Sequence, residues 1–99
     1  MHETKTISDS KYLEALSYTL HSTVDPNHYN LNGYKEEAIC LEKEKENWIV
    51  YLAMRNQKID TERVDSVLEA CISLIHRVCA EKEAKAELIH SFLRKLTAT

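Results

Sequence analysis

The centre of this 99-residue chain is an apolar run, Trp-Ile-Val-Tyr-Leu-Ala-Met, at residues 48–54. Side chains of a β-strand alternate between its two faces, so Trp48 and Val50 would share one face while Tyr51 points to the other. Both faces of this run are apolar, and both therefore need cover. The run predicts a central strand of a small sheet, with helices on one face and the N-terminal helix, a loop or a partner protein on the other.

The segments beside this run supply its neighbours in the sheet. Residues 36–42 predict a first strand, and the charged residues 43–47 predict a solvated turn. A tight turn begins at Arg55, and the mostly polar residues 59–64 then predict a short edge strand that its charges protect from aggregation. We therefore expect an antiparallel sheet of about three strands, with residues 48–54 at its centre.

The N-terminal third of the chain predicts one helix and a connection. Residues 8–21 carry apolar side chains at helical spacing, with Ser8 and Ser10 as candidate N-cap residues. Residues 29–34 predict a connection that turns near Gly33, because glycine adopts positive φ angles without strain. The expected order is thus a helix followed by the sheet.

The C-terminal third predicts two helices. Ser66 and Glu69 form a capping box, in which each residue satisfies a free amide of the first helical turn. An apolar stripe predicted to face the core follows, at Leu68, Cys71, Ile72, Ile75, Val78 and Cys79. One helix over residues 66–96 would be about 45 Å long, so we expect a break near residues 81–85. The fold class is therefore α+β, in one domain over residues 1–99.

Composition narrows the class of protein. A net charge of −3 argues against a protein that binds duplex DNA, which would carry a concentrated basic patch. Cys40, Cys71 and Cys79 have no disulfide-framework spacing, and we interpret them as reduced, buried thiols. No apolar window reaches the roughly 18 residues of a membrane span, and the N-terminus lacks a signal-peptide core. We expect a cytoplasmic protein without cofactor or metal.

Two groups of residues could carry chemistry. His76 and Cys79 have the i, i+3 spacing that can begin a metal site, but no further ligands lie in local register and Cys79 falls in the apolar stripe. His21, His28 and Tyr29 could serve the acid–base chemistry of a small nuclease, but no basic cluster accompanies them to hold phosphate. We favour a packed thiol beside a boundary histidine for the first pair, and a non-catalytic connection for the second group.

Carboxylates on the predicted hairpin favour binding to another protein. They form an expected anionic rim, mixed with cations, that would suit a basic partner. We assign Trp48 to the core because its face holds more apolar neighbours, which leaves Tyr51 as the better candidate for an aromatic anchor at an interface. The predicted partner-binding residues are Tyr34, Glu36, Glu42, Glu44, Glu46, Tyr51, Arg55, Asp60 and Glu62.

A series of short motifs over residues 29–78 is similar to a known family. The motifs are Tyr-x-Leu-x-Gly-Tyr from Tyr29, Trp-x-Val-Tyr from Trp48 and Asp-Ser-x-x-x-Ala-Cys from Asp65. Together they resemble small immunity proteins encoded beside bacterial polymorphic toxins, including those of contact-dependent growth inhibition. A Glu-Arg-Gly turn often follows the second strand in such proteins. Here Met-Arg-Asn stands at residues 54–56, which keeps the arginine and loses the carboxylate.

The resemblance implies a function without turnover. Such proteins bind one cognate toxin domain in the cytosol, block its active site or substrate surface, and need no cofactor. Many of the toxins are nucleases with basic surfaces. The alternative is a small α+β regulatory or oligomerisation module that has no toxin partner.

Overall fold

The computed structural model describes residues 7–97. The elements in chain order are α1 (Asp9–His21), a short 3-10 turn (Pro26–His28), β1 (Tyr29–Asn30), β2 (Ala38–Glu44), β3 (Asn47–Met54), β4 (Gln57–Val64), α2 (Val67–Val78) and α3 (Lys82–Thr97). The predicted α+β class is confirmed, as is the order of one helix, a sheet and two helices. The prediction of one domain over residues 1–99 includes residues 1–6 and 98–99, which lie outside the described residues.

Within residues 7–97 the sheet has four strands, in the order β1-β2-β3-β4. β3 is central to two antiparallel pairs, as predicted, and pairs with β2 on one side and β4 on the other. β1 was predicted as part of a connection, but it pairs in parallel with β2 through Tyr29 opposite Ile39 and Asn30 opposite Cys40. The sheet is therefore mixed. A two-residue strand has no alternation of its own, so only its pairing with β2 defines it.

β2 begins at Ala38, two residues later than predicted. Glu37 adopts a φ of 63°, which turns the chain into the strand, and its backbone N–H donates to the carbonyl of Ala53 at 2.7 Å. Glu36 therefore precedes the strand instead of starting it. The strand also continues to Glu44, so the turn to β3 is only two residues long.

The turn between β3 and β4 holds two residues with positive φ angles. Arg55 has φ 56° and Asn56 has φ 62°, while Met54 pairs with Gln57 on either side of them. Left-handed conformation at both central residues is the requirement of a type I′ turn, which matches the twist of the strands it joins. β4 consequently starts at Gln57, two residues before the predicted start of the edge strand.

The main core lies between the helices and one face of the sheet. α2 contacts β2, β3 and β4, and both α1 and α3 pack against α2. The Ser66 hydroxyl accepts a hydrogen bond from the Glu69 N–H at 3.1 Å, which confirms the Ser66 half of the predicted capping box. The Glu69 carboxylate accepts from the Ser66 hydroxyl at 3.3 Å. α2 ends at Val78 and α3 begins at Lys82, so the predicted break occurs slightly earlier than expected. Among residues 7–97, no helix combines the length and apolar character required to cross a membrane.

The buried face of α2 differs from the predicted stripe. Its buried side chains are Val67, Ala70, Cys71, Leu74 and Ile75. Leu68 is 36% exposed, so the prediction that it faces the core is wrong, whereas Ile72 is partly buried and packs against the main core. Apolar residues occupy more than one face of α2, and the sheet covers only part of this apolar surface.

Candidate functional site

A second, smaller core occupies the sheet face opposite α2, which we call the outer face. Its buried side chains come from neighbouring positions of β2 and β3: Ala38, Cys40, Ile49, Tyr51 and Ala53. The segment of residues 31–37 runs beside this cluster, and the backbone N–H of Lys35 donates to Cys40 Sγ at 3.3 Å. Charged side chains of β2 and β4 surround the cluster. Helices therefore cover one apolar face of β3, and a loop with polar side chains covers the other.

Tyr51 lies at the centre of the outer face and is fully buried. The Tyr34 ring stacks on it with 6.2 Å between centroids, and Lys58 Nζ lies 5.1 Å from its ring centroid. Its hydroxyl donates to the carboxylate of Glu42. Burial, together with this carboxylate, raises the pKa of Tyr51 far above its usual value, so the hydroxyl stays protonated. The prediction that Tyr51 is an aromatic anchor at an interface is therefore wrong, because Tyr34 and Lys58 cover its ring.

Glu36 fixes one corner of the outer face. Its carboxylate accepts hydrogen bonds from the Tyr34 hydroxyl at 2.7 Å, the Arg55 N–H at 2.6 Å and the Asn56 N–H at 3.3 Å. These bonds, that of Tyr34 first, lower the pKa of Glu36. The carboxylate therefore ties the loop that carries Tyr34 to the type I′ turn that carries Arg55. Tyr34 remains 39% exposed at this corner.

Two carboxylates of the predicted anionic rim form ion pairs with cations of β4. Glu42 pairs with Lys58 at 3.2 Å, and Glu44 pairs with Arg63, which lowers the pKa of Glu44. Glu46 is exposed at the turn between β2 and β3, at the opposite end of β3 from Arg55. The outer face therefore carries paired charges of both signs instead of a continuous anionic surface.

Two predicted acidic residues lie away from this face. Glu62 points toward α2, where it accepts a hydrogen bond from the Ser73 hydroxyl at 2.6 Å and lies 3.9 Å from the guanidinium of Arg77. Asp60 lies in a bulge of β4 with φ 55°, and its backbone carbonyl accepts from Arg77 at 2.7 Å. The structure thus brings Tyr34, Glu36, Glu42, Glu44, Tyr51 and Arg55 to the outer face or its end.

The residues considered for chemistry lie on α1, on the 3-10 turn and β1, and on α2 and its C-terminal end. His21 ends α1 and His28 ends the 3-10 turn, and both are exposed. His76 is exposed on α2, and Cys79 is partly buried at the end of that helix. Within the described part of the chain, no group of three or more His, Cys, Asp and Glu side chains could hold a metal ion. Cys40 and Cys71 are buried as predicted, whereas Cys79 is only partly buried.

Sequence reasoning missed the role of Lys58 and Arg63 on the outer face. Each reaches across β3 to a carboxylate of β2, at Glu42 and Glu44 respectively. The alternation of Glu42 with Glu44 places both on one face, but the matching cations appear only once the register of both hairpins is known.

The partly exposed Tyr34 and the exposed Arg55 lie together at one end of the outer face. Tyr34 and Arg55 belong to the residue types that contribute most to protein–protein interfaces. No protein-family model, curated protein or solved structure matches this chain.

Proposed function

We propose that this protein is an immunity protein that binds the cognate toxin domain of a bacterial polymorphic-toxin system and neutralises it. The toxin's active site or substrate surface would be covered by the outer face. The observation that carries the proposal is the corner built by Glu36, which holds Tyr34 and the turn of Arg55 in place before any partner arrives. Side chains ordered in advance lose less entropy on binding, so more of the contact energy becomes affinity.

The residues of this corner would act as the anchors of the complex. Tyr34 presents a partly exposed ring that is backed by Tyr51 and therefore has few conformations to lose. Arg55 is exposed in the turn that the Glu36 carboxylate holds, and its guanidinium can bind a carboxylate or carbonyl group of the toxin. The sequence motifs of the chain, which resemble those of immunity proteins, support the same function.

The paired charges of the outer face would select the partner. Glu42 with Lys58 and Glu44 with Arg63 present alternating signs along the sheet. Such a pattern matches a partner with the inverse pattern and repels others, so it favours specificity more than affinity. An interface of ordinary size, about 800 Å² per partner, would extend from the corner over these pairs.

The test is binding to the C-terminal toxin domain encoded beside this protein's gene. An immunity protein should bind it with a Kd of about 1 nM or tighter, since weaker binding would release toxin in the cell that makes it. Surface plasmon resonance should show that Tyr34→Ala and Arg55→Ala each speed dissociation about tenfold or more, because truncating a central anchor shortens the life of the complex.

Tyr18→Ala is the matched control, since Tyr18 is a 64% exposed tyrosine on α1, away from the outer face. Its dissociation rate should equal that of the parent. Fast dissociation of Tyr18→Ala with unchanged Tyr34→Ala would place the interface on the helices. Absence of binding to the toxin domain would favour the alternative of a regulatory or oligomerisation module.

A further inference from the structure

Within residues 7–97, five residues other than glycine have positive φ angles: Glu37, Lys45, Arg55, Asn56 and Asp60. This conformation is strained for most residues, because the Cβ atom approaches the following carbonyl oxygen, and asparagine and aspartate tolerate it best. Asn56 and Asp60 belong to these tolerant types. Glu37, Lys45 and Arg55 do not, so the local backbone conformation does not explain why these three residues stand there.

Glu37 and Arg55 lie at the same corner of the outer face. The Glu37 N–H donates to the Ala53 carbonyl at 2.7 Å, and the Arg55 N–H donates to the Glu36 carboxylate at 2.6 Å. These two hydrogen bonds join the segment before β2 to the end of β3 and to the type I′ turn that follows it. The backbone is therefore fixed at both strained residues.

The side chains of these two residues take no part in holding this backbone. Both are exposed, and within the part of the chain that the structure describes neither the Glu37 carboxylate nor the Arg55 guanidinium forms a hydrogen bond or an ion pair. Arg63 and Arg77, by contrast, both contact groups of their own chain. The corner therefore presents two opposite charges that the fold itself does not use.

We propose that Glu37 and Arg55 are specificity-determining residues of the outer face, and that the toxin domain presents a cation to Glu37 and a carboxylate to Arg55. This inference rests on the proposed toxin binding, and it adds Glu37 to the binding residues of the corner. Strained conformations persist at binding sites where the surrounding structure holds them, as the hydrogen bonds of this corner do. A partner with the opposite arrangement of charges is repelled at both residues, which gives specificity.

The side chain of arginine suits the second of these contacts. Its planar guanidinium binds a carboxylate through two parallel hydrogen bonds, which fixes the direction of approach as well as the charge. The Glu36 carboxylate does not occupy this position, since it accepts from the Tyr34 hydroxyl and from the backbone amides of Arg55 and Asn56. The carboxylate that meets Arg55 therefore comes from the partner.

Replacement by asparagine separates the role in binding from any role in folding. Asparagine tolerates positive φ and removes the charge, so Glu37→Asn and Arg55→Asn should each raise the urea concentration at the midpoint of unfolding. Each variant should nevertheless bind the toxin domain encoded beside this protein's gene at least tenfold more weakly, because it loses a charge pair of the complex. Lower midpoints would show that these side chains serve the fold, and would overturn the inference.

Lys45→Asn is the matched control, because Lys45 has φ 58° and is exposed in the turn at the other end of β3. It should also raise the unfolding midpoint, but it should bind the toxin domain like the parent. The inference is overturned, and toxin binding itself stands, if a tightly binding parent is matched by both corner variants or if Lys45→Asn weakens binding as much as they do. A parent that does not bind overturns the proposed function and this inference together.

Double-mutant cycles test the charges assigned to the partner. Alanine substitutions of single surface carboxylates of the toxin domain, each measured against the parent and Arg55→Asn, should reveal one whose loss has no further effect once Arg55 is replaced. The same scan of surface lysines and arginines against Glu37→Asn should reveal one cation. Additive effects at every pair would overturn the proposed charge pattern.

Discussion

At the scale of single residues, Glu42 connects the two strands beside β3. Its carboxylate accepts from the buried hydroxyl of Tyr51 and pairs with Lys58 at 3.2 Å. The side chain is only 24% exposed. The sequence treats Glu42, Glu44 and Glu46 as equivalent carboxylates near a turn, but only Glu42 supports a buried polar group. Its main role is therefore to stabilise the fold of the outer face.

This difference predicts unequal effects of removing these carboxylates. Glu42→Ala should lower the free energy of unfolding by about 1–3 kcal/mol, because the Tyr51 hydroxyl loses its acceptor in a buried site. Glu46→Ala at the exposed turn should change it by less than about 0.5 kcal/mol. Urea unfolding of both variants measures the two values. Equal values would show that the bond between Glu42 and Tyr51 contributes nothing.

Glu36 gives the protein a second residue-scale property, a dependence of stability on acid. Hydrogen bonds from Tyr34 and from the Arg55 and Asn56 amides lower its pKa in the folded state. The unfolded chain therefore binds a proton at Glu36 at higher pH than the folded chain does. The stability that the ionised Glu36 contributes is present above its unfolded pKa of about 4.3, and it disappears as the pH falls through its lower folded pKa.

We expect Glu36→Gln to lose this contribution. The stability difference between parent and variant should be constant near neutral pH and shrink as pH falls below about 4.3, since Glu36 of the unfolded parent chain then binds a proton before the folded carboxylate does. Urea unfolding across a pH series measures the difference. If the stability difference stayed constant down to the pH at which the protein unfolds, these hydrogen bonds would not stabilise the Glu36 carboxylate.

At the scale of elements, α2 shows what each face of a helix contributes. Leu74 is fully buried between the sheet and the other helices, whereas Ile72 packs against the main core and is only partly buried. Leu74→Asp should abolish cooperative unfolding, because it places an unpaired charge in the core. Ile72→Asp should keep a cooperative transition at lower stability. Circular dichroism melts of both variants test this, and identical behaviour would contradict the face assignment.

The helices and strands were predictable because their signals lie within a few residues. The contacts between distant segments were not, because they depend on how the strands pair. The two-sided apolar run of β3 and the cap formed by Ser66 and Glu69 act within a few residues, and both predictions were right. The pairing of β1 with β2 depends on where a loop returns. The contact of Lys58 with Glu42 depends on two hairpin registers at once. The burial of Tyr51 depends on that contact and on the Tyr34 loop, so sequence alone could not place it.

At the scale of the whole molecule, the proposed toxin-binding surface and the helices lie on opposite sides of the sheet. The outer face, with the corner of Tyr34, Glu36 and Arg55, would bind the toxin domain. The helices pack on the sheet face that lies opposite the outer face. A toxin domain could therefore dock on the outer face without displacing the helices.

The central claim is that the outer face neutralises a toxin by covering it. The direct measurement is a titration of the toxin domain's activity with this protein, at toxin concentrations well above the Kd. The parent should reduce the activity linearly to zero at one equivalent per toxin domain, since a nanomolar complex forms stoichiometrically under these conditions. The double variant Tyr34→Ala and Arg55→Ala should leave activity at that point. Toxin that stays fully active with several equivalents of the parent would contradict the account.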